Sequence, residues 1–228
     1  MNRIVFLGDS VTKANNVDVS VSFAMQIGLA NGYQPQDIIN AGVPGNKLAD
    51  MLLRLETDVI SHAPDVCAFM PMINDASHGT PLATFSAQLH SIVSQLIAAG
   101  IKVVIMSPPL YRGGTENYPK FNSYLLEVEK VVDAYRLPYI DVYRRYAWEF
   151  MLNVNSFMAL YIDVIHQSAT GYNYISNLCN SGRYAGYFVK DAAQGARELS
   201  IATADWALGG QTPELLQQVQ LARDAITS

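Results

Sequence analysis

The fold of this chain is decided by residues 3–10, whose sequence is RIVFLGDS. The segment Arg3–Leu7 is apolar from Ile4 onward and shows no alternation with polar residues, which predicts a strand that is buried on both faces. Gly8, Asp9 and Ser10 follow directly. The loops at the carboxyl ends of parallel strands form the ligand crevice of an open sheet, so we expect a serine hydroxyl at that edge.

Further short apolar runs follow and alternate with longer stretches of helical periodicity. The predicted strands are Arg3–Leu7, Asp37–Asn40, Asp65–Met70, Ile101–Met106 and Leu137–Val142. The predicted helices include Ser20–Asn31, Lys47–Ser61, Leu82–Ala99 and Asn122–Tyr135. This alternation predicts an α/β fold, in which helices cover both faces of a five-stranded parallel sheet.

Composition excludes several classes of protein. The chain has 228 residues, of which 50% are hydrophobic and 15% charged, and its net charge is −5. Nucleic acid and anionic lipid are therefore not predicted as partners, because both require a basic surface. Cys67 and Cys179 are far apart and have no neighbouring cysteine or histidine cluster, which argues against a disulfide framework and a structural zinc site.

Three predicted loops bring complementary chemistry to one edge of the sheet. With the common strand order 2-1-3-4-5, the loops after strands two and three flank the loop after strand one. These loops carry Ser10, the glycine-rich turn Asn40–Asn46 and the segment Pro71–Asp75. A hydroxyl, main-chain amides and an asparagine side chain are the parts of a nucleophile with an oxyanion pocket.

A serine nucleophile needs a base, and Asp163-Val-Ile-His166 supplies a candidate. The spacing allows the Asp163 carboxylate to hold one imidazole nitrogen while the other faces Ser10. A plain helix cap for Ser10 and a helix-start role for His166 are the structural alternatives. Asp9 and Asp75, which are adjacent to these blocks, are expected to bind loop amides rather than to react.

These residues resemble the SGNH, or GDSL-type, hydrolases, which are serine esterases on a flavodoxin-like three-layer α/β/α sandwich. The matching blocks are Gly8-Asp9-Ser10, Asn40-Ala41-Gly42 through Gly45, Asn74-Asp75, and Asp163-x-x-His166 with Gly171-Tyr172 downstream. The resemblance covers about residues 3–178. One block alone is weak evidence, but four in this order, each at the end of a predicted element, are specific.

The resemblance implies a role for each matching residue. Ser10 is the expected nucleophile, His166 the base and acid, and Asp163 its orienting carboxylate. The expected oxyanion hole consists of the Ser10 and Gly45 main-chain N–H groups and the Asn74 side-chain amide. The resemblance implies neither a metal nor an organic cofactor.

The sequence departs from the family pattern at two positions. Met72 stands where the third block usually begins with glycine, and Gln167 stands where proline often follows the histidine. Met72 is expected to shape the pocket and thereby the acyl group accepted. Tyr111 and Arg112, in the loop after the fourth strand, are candidate contacts for a sugar or a carboxylate.

The resemblance predicts a hydrolase of short-chain esters, above all of O-acetyl groups on a carbohydrate or polysaccharide. The polar composition and the lack of a long apolar lid segment favour this substrate. A lipase, lysophospholipase or thioesterase is the alternative within the family. The alternative from a different functional class is a domain that has kept the fold but lost catalysis, and that binds glycan or a partner protein.

The chain is expected to divide into an SGNH hydrolase domain at 1–180 and an extension at 181–228. Thr212-Pro213-Glu214 predicts a helix start, and an apolar stripe follows at Leu215, Val219, Ala222 and Ile226. This helix is expected to pack on the same domain or on a partner, self-association included.

The N-terminal apolar run Ile4–Leu7 is too short for a signal peptide, and no run approaches a membrane span. A cytoplasmic protein is the default expectation, and a phage tail esterase carried on a virion is the alternative.

Overall fold

The computed structural model describes residues 3–14, 16–113, 117–184 and 186–188. The predicted extension at 181–228 therefore lies almost entirely outside the described residues, and so does its helix from Thr212. Within the described residues, no helix is both long and apolar enough to span a membrane.

A five-stranded sheet forms the centre of the molecule, and all of its pairings are parallel. Its strands are β1 (Ile4–Gly8), β2 (Ile38–Gly42), β3 (Val66–Phe69), β4 (Lys102–Met106) and β5 (Tyr139–Ile140). Their order is β2-β1-β3-β4-β5. The predicted sheet and its flavodoxin-like order are confirmed, and helices lie on both of its faces.

The helices on the amino-terminal side of β4 are α1 (Ser10–Lys13), α2 (Phe23–Ala30), α3 (Leu48–Leu53), α4 (Leu55–Asp58), α5 (Ile73–His78) and α6 (Leu82–Ala98). Those that follow β4 are α7 (Tyr118–Tyr135), α8 (Val142–Leu152), α9 (Val154–Ala159) and α10 (Ala169–Cys179). α7 begins four residues earlier than predicted, and Pro119 in its first turn suits a helix start.

The single helix predicted at Lys47–Ser61 is wrong. The segment forms α3, α4 and a short 3₁₀ turn at Ile60–His62. Arg54 separates α3 from α4 with φ −113° and ψ 6°, outside helical geometry. Its side chain bonds to the ends of β1 and β2, an interaction that helical periodicity cannot indicate.

Right-handed crossovers explain how the helices are divided between the two faces. The connection from β1 to β2 runs in the opposite direction across the sheet to the later ones, so α2 lies on the other face from α3, α6 and α7. α10 packs on α2, where the ring of Phe23 stacks on that of Tyr172 with centroids 6.2 Å apart.

The strand register places the carboxyl ends of β1, β2 and β3, and hence the loops that follow them, at the same edge of the sheet. Gly8 at the end of β1 pairs with Gly42 at the end of β2, and Leu7 pairs with Phe69 of β3. A Cβ atom on Gly42 would lie 2.3 Å from the main-chain nitrogen of Lys13. Only glycine therefore lets α1, which begins with Ser10, pack against the end of β2.

Candidate active site

Ser10 is the first residue of α1, immediately after the turn that ends β1. The Asp9 carboxylate caps this helix by accepting the Val11 N–H at 2.9 Å. A residue in the first helical turn has no intrahelical acceptor for its N–H. Ser10 therefore presents its hydroxyl and its main-chain donor together at the edge of the sheet.

A continuous hydrogen-bonded chain joins Ser10 to the distant Asp-His pair. His166 Nε2 lies 2.9 Å from Ser10 Oγ, and His166 Nδ1 lies 2.7 Å from Asp163 Oδ2. The structure thus brings together all three predicted residues, although 156 positions separate Ser10 from His166. Both are hydrogen-bonding distances, and the one between Nε2 and Oγ is short enough for the imidazole to take the serine proton.

A short antiparallel bridge between Tyr161 and Gln167 closes the loop that carries this pair. The Ile162 N–H donates to the His166 carbonyl at 2.9 Å, which fixes the base of the loop. Inside it, Asp163 Oδ1 accepts the N–H groups of Ile165 and His166, both at 2.7 Å. The loop therefore orients the carboxylate before any substrate binds.

These contacts also determine the charge of Asp163. Desolvation tends to raise the pKa of the carboxyl, but hydrogen bonds from the His166 main chain and imidazole and from the Ile165 N–H outweigh it. The pKa is lowered to about 2. Asp163 is consequently ionised at every pH at which the protein would work, as a partner for an imidazolium requires.

The expected oxyanion donors lie in the loops after β2 and β3. Gly45 has φ +79°, and its N–H donates to no other described residue. Asn74, in the first turn of α5, donates one amide N–H to the Asn46 carbonyl at 3.0 Å. Because the amide has two N–H groups, the second remains for a ligand.

Met72 precedes α5 with φ +106° and ψ −47°, a backbone conformation that glycine adopts more readily than a residue with a side chain. The residue is only 1% exposed and belongs to the hydrophobic core. It offers almost no surface to a substrate. Its predicted influence on the pocket stays a prediction, and any such influence has to pass through the backbone that carries Asn74.

Tyr111 and Arg112 follow β4, and both already make contacts within the protein; those of Arg112 are with residues 161–167, the loop that carries Asp163 and His166 and is called the catalytic loop below. The Tyr111 ring stacks on Phe121 with centroids 4.7 Å apart. The Arg112 guanidinium lies 5.1 Å from the centre of the Tyr161 ring, and the Arg112 N–H donates to the Val164 carbonyl at 2.9 Å. The contact of both residues with substrate stays a prediction, whereas the attachment of Arg112 to the catalytic loop is a structural fact.

Two buried carboxylates flank the site, and both hold main-chain amides as expected. Asp75 Oδ2 accepts the Leu48 N–H at 3.0 Å. Asp9 is 2% exposed, and burial raises its pKa to about 7, although the Val11 hydrogen bond and His166 oppose this shift. Neither carboxylate contacts the Ser10 hydroxyl.

Sequence reasoning missed Tyr161 and Arg54. Tyr161 sits two residues before Asp163, and its hydroxyl donates to the Leu110 carbonyl, so its position next to the motif was the only available indication. Nothing in the sequence singled out Arg54. Among the described residues, no cluster of three or more histidine, cysteine or acidic side chains is arranged to hold a metal ion.

A family model for the GDSL-like lipase/acylhydrolase family matches residues 6–174, which include all of the candidate site residues described in this subsection. The chain belongs to this family. Membership agrees with the expected SGNH resemblance, and it makes the chain a member of a family of ester-hydrolysing enzymes.

Individual relatives of this family member are distant. An acetylxylan esterase of Geobacillus stearothermophilus is 26% identical over 196 residues, which cover 75% of this chain and 88% of that protein. The solved structure of a lipase/acylhydrolase from Enterococcus faecalis is 28% identical, with a TM-score of 0.62, and the match covers 78% and 93% of the two chains. The crystal structure of an acetyl xylan esterase matches with a TM-score of 0.68 at 24% identity, over 77% and 96%.

Proposed function

We propose that this GDSL-family protein is a serine esterase that forms an acyl-enzyme on Ser10. The hydrogen-bonded chain Asp163–His166–Ser10 is the observation that carries the proposal. A neutral imidazole whose Nδ1–H is held by a carboxylate leaves Nε2 as the acceptor for the serine proton.

The reaction begins when His166 Nε2 takes the Ser10 proton and Ser10 Oγ attacks the ester carbonyl. The negative charge that develops on the carbonyl oxygen is met by the Ser10 and Gly45 N–H groups and the Asn74 amide. His166 then protonates the leaving alcohol. A water molecule, activated by the same imidazole, attacks the acyl-enzyme and releases the acid.

For the substrate we propose O-acetyl groups on a carbohydrate. Two relatives are named as acetylxylan esterases, and one of them is 26% identical over most of both chains. A pocket of about 270 Å³ opens beside the loops after β2 and β3, and because neither Ser10 nor His166 lines it, we propose it as a place for the sugar and not for the acetyl group. Its polar lining residues are Lys47, Asp75, His78, Thr80, Thr84 and Gln88. Donors and acceptors of this kind suit the hydroxyl groups of a sugar.

The deciding experiment measures free acetate released from acetylated xylo-oligosaccharides and acetylated bacterial polysaccharides. Wild type is expected to release acetate, and Ser10→Ala to lose on the order of 10⁶-fold in kcat, as serine hydrolases do when the nucleophile is removed. A fluorophosphonate probe should modify Ser10 in wild type only. Full activity of Ser10→Ala would refute the mechanism, and an unlabelled, inactive wild type would favour a binding domain without catalysis.

A lipase, lysophospholipase or thioesterase is the second candidate, and one observation favours it. Ile162 and Val164, on either side of Asp163, are 54% and 43% exposed, so apolar surface flanks the catalytic loop. Nitrophenyl esters of increasing acyl length separate the two candidates. The acetyl ester should give the highest kcat/KM, and an optimum at eight or more carbons would instead establish the second.

A further inference from the structure

Arg54 lies behind the candidate oxyanion hole, on the protein side of the loops that form it. It is the residue between α3 and α4, and its side chain is 14% exposed. A guanidinium presents five N–H donors in one plane, so it can bind several acceptors from different segments at once. The acceptors of Arg54 therefore show which segments of the chain it connects.

Three segments that lead into the site receive hydrogen bonds from this one side chain. Nη2 donates to the Gly8 carbonyl at 3.0 Å, and Nη1 donates to the Ala41 carbonyl at 2.8 Å. Nε donates to Asn46 Oδ1 at 2.7 Å. The ends of β1 and β2 and the loop after β2 are thus fastened to a single rigid plane.

Two of the three proposed oxyanion donors, Ser10 and Gly45, are close in the chain to one of these acceptors. Gly8 is two residues before Ser10, and Asn46 directly follows Gly45. The Asn46 carbonyl also accepts the Asn74 amide at 3.0 Å, so Asn46 links the guanidinium to the third donor. Movement of Arg54 would therefore disturb the whole set of donors.

Asp58 completes the arrangement on the side away from the site. Its carboxylate accepts from Nη1 at 2.8 Å and is itself 37% exposed. An ion pair with this exposure contributes little stability on its own. Its geometric effect is to hold the guanidinium plane while the other donors reach the strand ends.

We propose that Arg54 is a positioning residue for the oxyanion hole, acting through the carbonyls of Gly8 and Ala41 and the side chain of Asn46. The proposal rests on the proposed esterase function. Lysine cannot replace this residue, because an ammonium group is a compact point charge without a planar fork. Oxyanion donors work only when they are held in place before the charge develops, so their loosening should slow the chemical step more than it weakens substrate binding.

The test compares Arg54→Lys and Arg54→Ala with wild type on nitrophenyl acetate, well below each variant's melting temperature. We expect kcat to fall about 10- to 100-fold while KM changes little, since small misplacements near the reacting atoms have effects of this size. The affinity for phenylboronic acid, which forms a tetrahedral adduct on the serine, should fall in parallel with kcat. Arg144→Ala is the matched control, because Arg144 is an ion-paired arginine at the start of α8.

Chemical rescue separates positioning from general damage to the fold. Guanidinium ion should restore part of the kcat of Arg54→Ala, whereas tetramethylammonium at the same concentration should not. Asn74→Ala should gain nothing from either ion. If Arg54→Ala does not fold, Asn46→Ala is the second variant, since it removes the Nε contact but keeps the carbonyl that holds Asn74.

The inference would be overturned if folded Arg54→Lys and Arg54→Ala kept the kcat and boronate affinity of the wild type. Where those variants do not fold, the same result in Asn46→Ala would overturn it. So would a loss of kcat that matches the loss of folded protein. Failure of the esterase function itself has a different signature, because wild type would then neither release acetate nor react with the fluorophosphonate.

Discussion

At the scale of the residue, Met72 has two opposing properties. Its backbone at φ +106° is one that glycine adopts with less strain, and its side chain is buried in the core. An unusual backbone conformation of this kind costs about 1–3 kcal/mol. Burial of a methionine side chain stabilises by a similar or larger amount, which explains how the position tolerates methionine.

At position 72, glycine should therefore give a more stable protein than alanine, which is the reverse of the usual order of stability. Both Met72→Gly and Met72→Ala leave a cavity that costs roughly 2–5 kcal/mol, but only glycine also relieves the backbone strain. Met72→Gly should be the more stable of the two by about 1 kcal/mol. Urea unfolding of both variants measures the difference, and a more stable Met72→Ala would contradict the strained backbone.

Asn74 provides the second prediction at this scale. Asn74→Ala removes one oxyanion donor and leaves the Asp163–His166–Ser10 chain intact, so kcat should fall about 10²- to 10³-fold. KM should change little, because the lost interaction is made mainly in the transition state. Steady-state kinetics on nitrophenyl acetate measure both constants. A variant in which KM rises while kcat is preserved would make Asn74 a substrate-binding residue instead.

At the scale of the element, α1 depends on a buried carboxylate for its cap. Burial raises the pKa of Asp9 to about 7, so the folded state keeps a proton that the unfolded chain releases near pH 4. Between about pH 4 and pH 7 the unfolded state binds fewer protons, and the stability of the wild type should fall as the pH rises.

Asp9→Asn should remove this part of the pH dependence, because asparagine keeps a cap acceptor for the Val11 N–H and carries no charge. The difference in free energy of unfolding between the variant and the wild type should therefore shift in favour of the variant by about 2–4 kcal/mol when the pH rises from 4 to 8. Denaturant titrations at both pH values measure the gain. An equal difference from wild type at the two pH values would show that Asp9 ionises normally.

The catalytic loop and the loop after β4 are attached to each other. The Arg112 guanidinium packs on the ring of Tyr161, and the Arg112 N–H donates to the Val164 carbonyl. Such a connection limits the movement of Asp163 and His166 toward solvent. The loop after β4 therefore supports the site even where its side chains do not touch the substrate.

At the scale of the whole molecule, every residue named above for the candidate site and its support lies among the described residues. The last of them, Phe188, is fully buried, and its ring stacks on Phe6 of β1 with centroids 6.4 Å apart. Removal of residues 189–228 should therefore leave kcat on nitrophenyl acetate unchanged, whereas a cut before Phe188 would expose the core.

The same truncation tests the predicted role of the stripe at Leu215, Val219, Ala222 and Ile226. If the stripe packs on another subunit, the truncated protein should have a lower molecular mass in solution than the full chain, as light scattering can measure. An unchanged mass would remove self-association through this segment. Loss of activity in a folded truncated protein would show that the segment contributes to the site.

The sequence by itself predicted the parallel sheet and the Ser10, His166 and Asp163 group, while the resemblance to the SGNH hydrolases supplied the flavodoxin-like strand order and the expected oxyanion residues. Parallel strands are buried on both faces and therefore appear as continuous apolar runs, and each functional block follows one of these runs directly. Gly8-Asp9-Ser10 and Asp163-x-x-His166 are local patterns. Their residue types and spacing suffice to indicate the chemistry.

Only the tertiary structure decided what lies behind and beside these blocks. The break at Arg54, the burial of Met72 and the contact of Arg112 with Tyr161 all depend on segments far apart in the chain. Helical periodicity reports which face of a segment is apolar, but not which carbonyl groups from other strands need a donor. Those acceptors exist as a group only once β1 and β2 lie side by side, and their hydrogen bonds then outweigh local helix propensity.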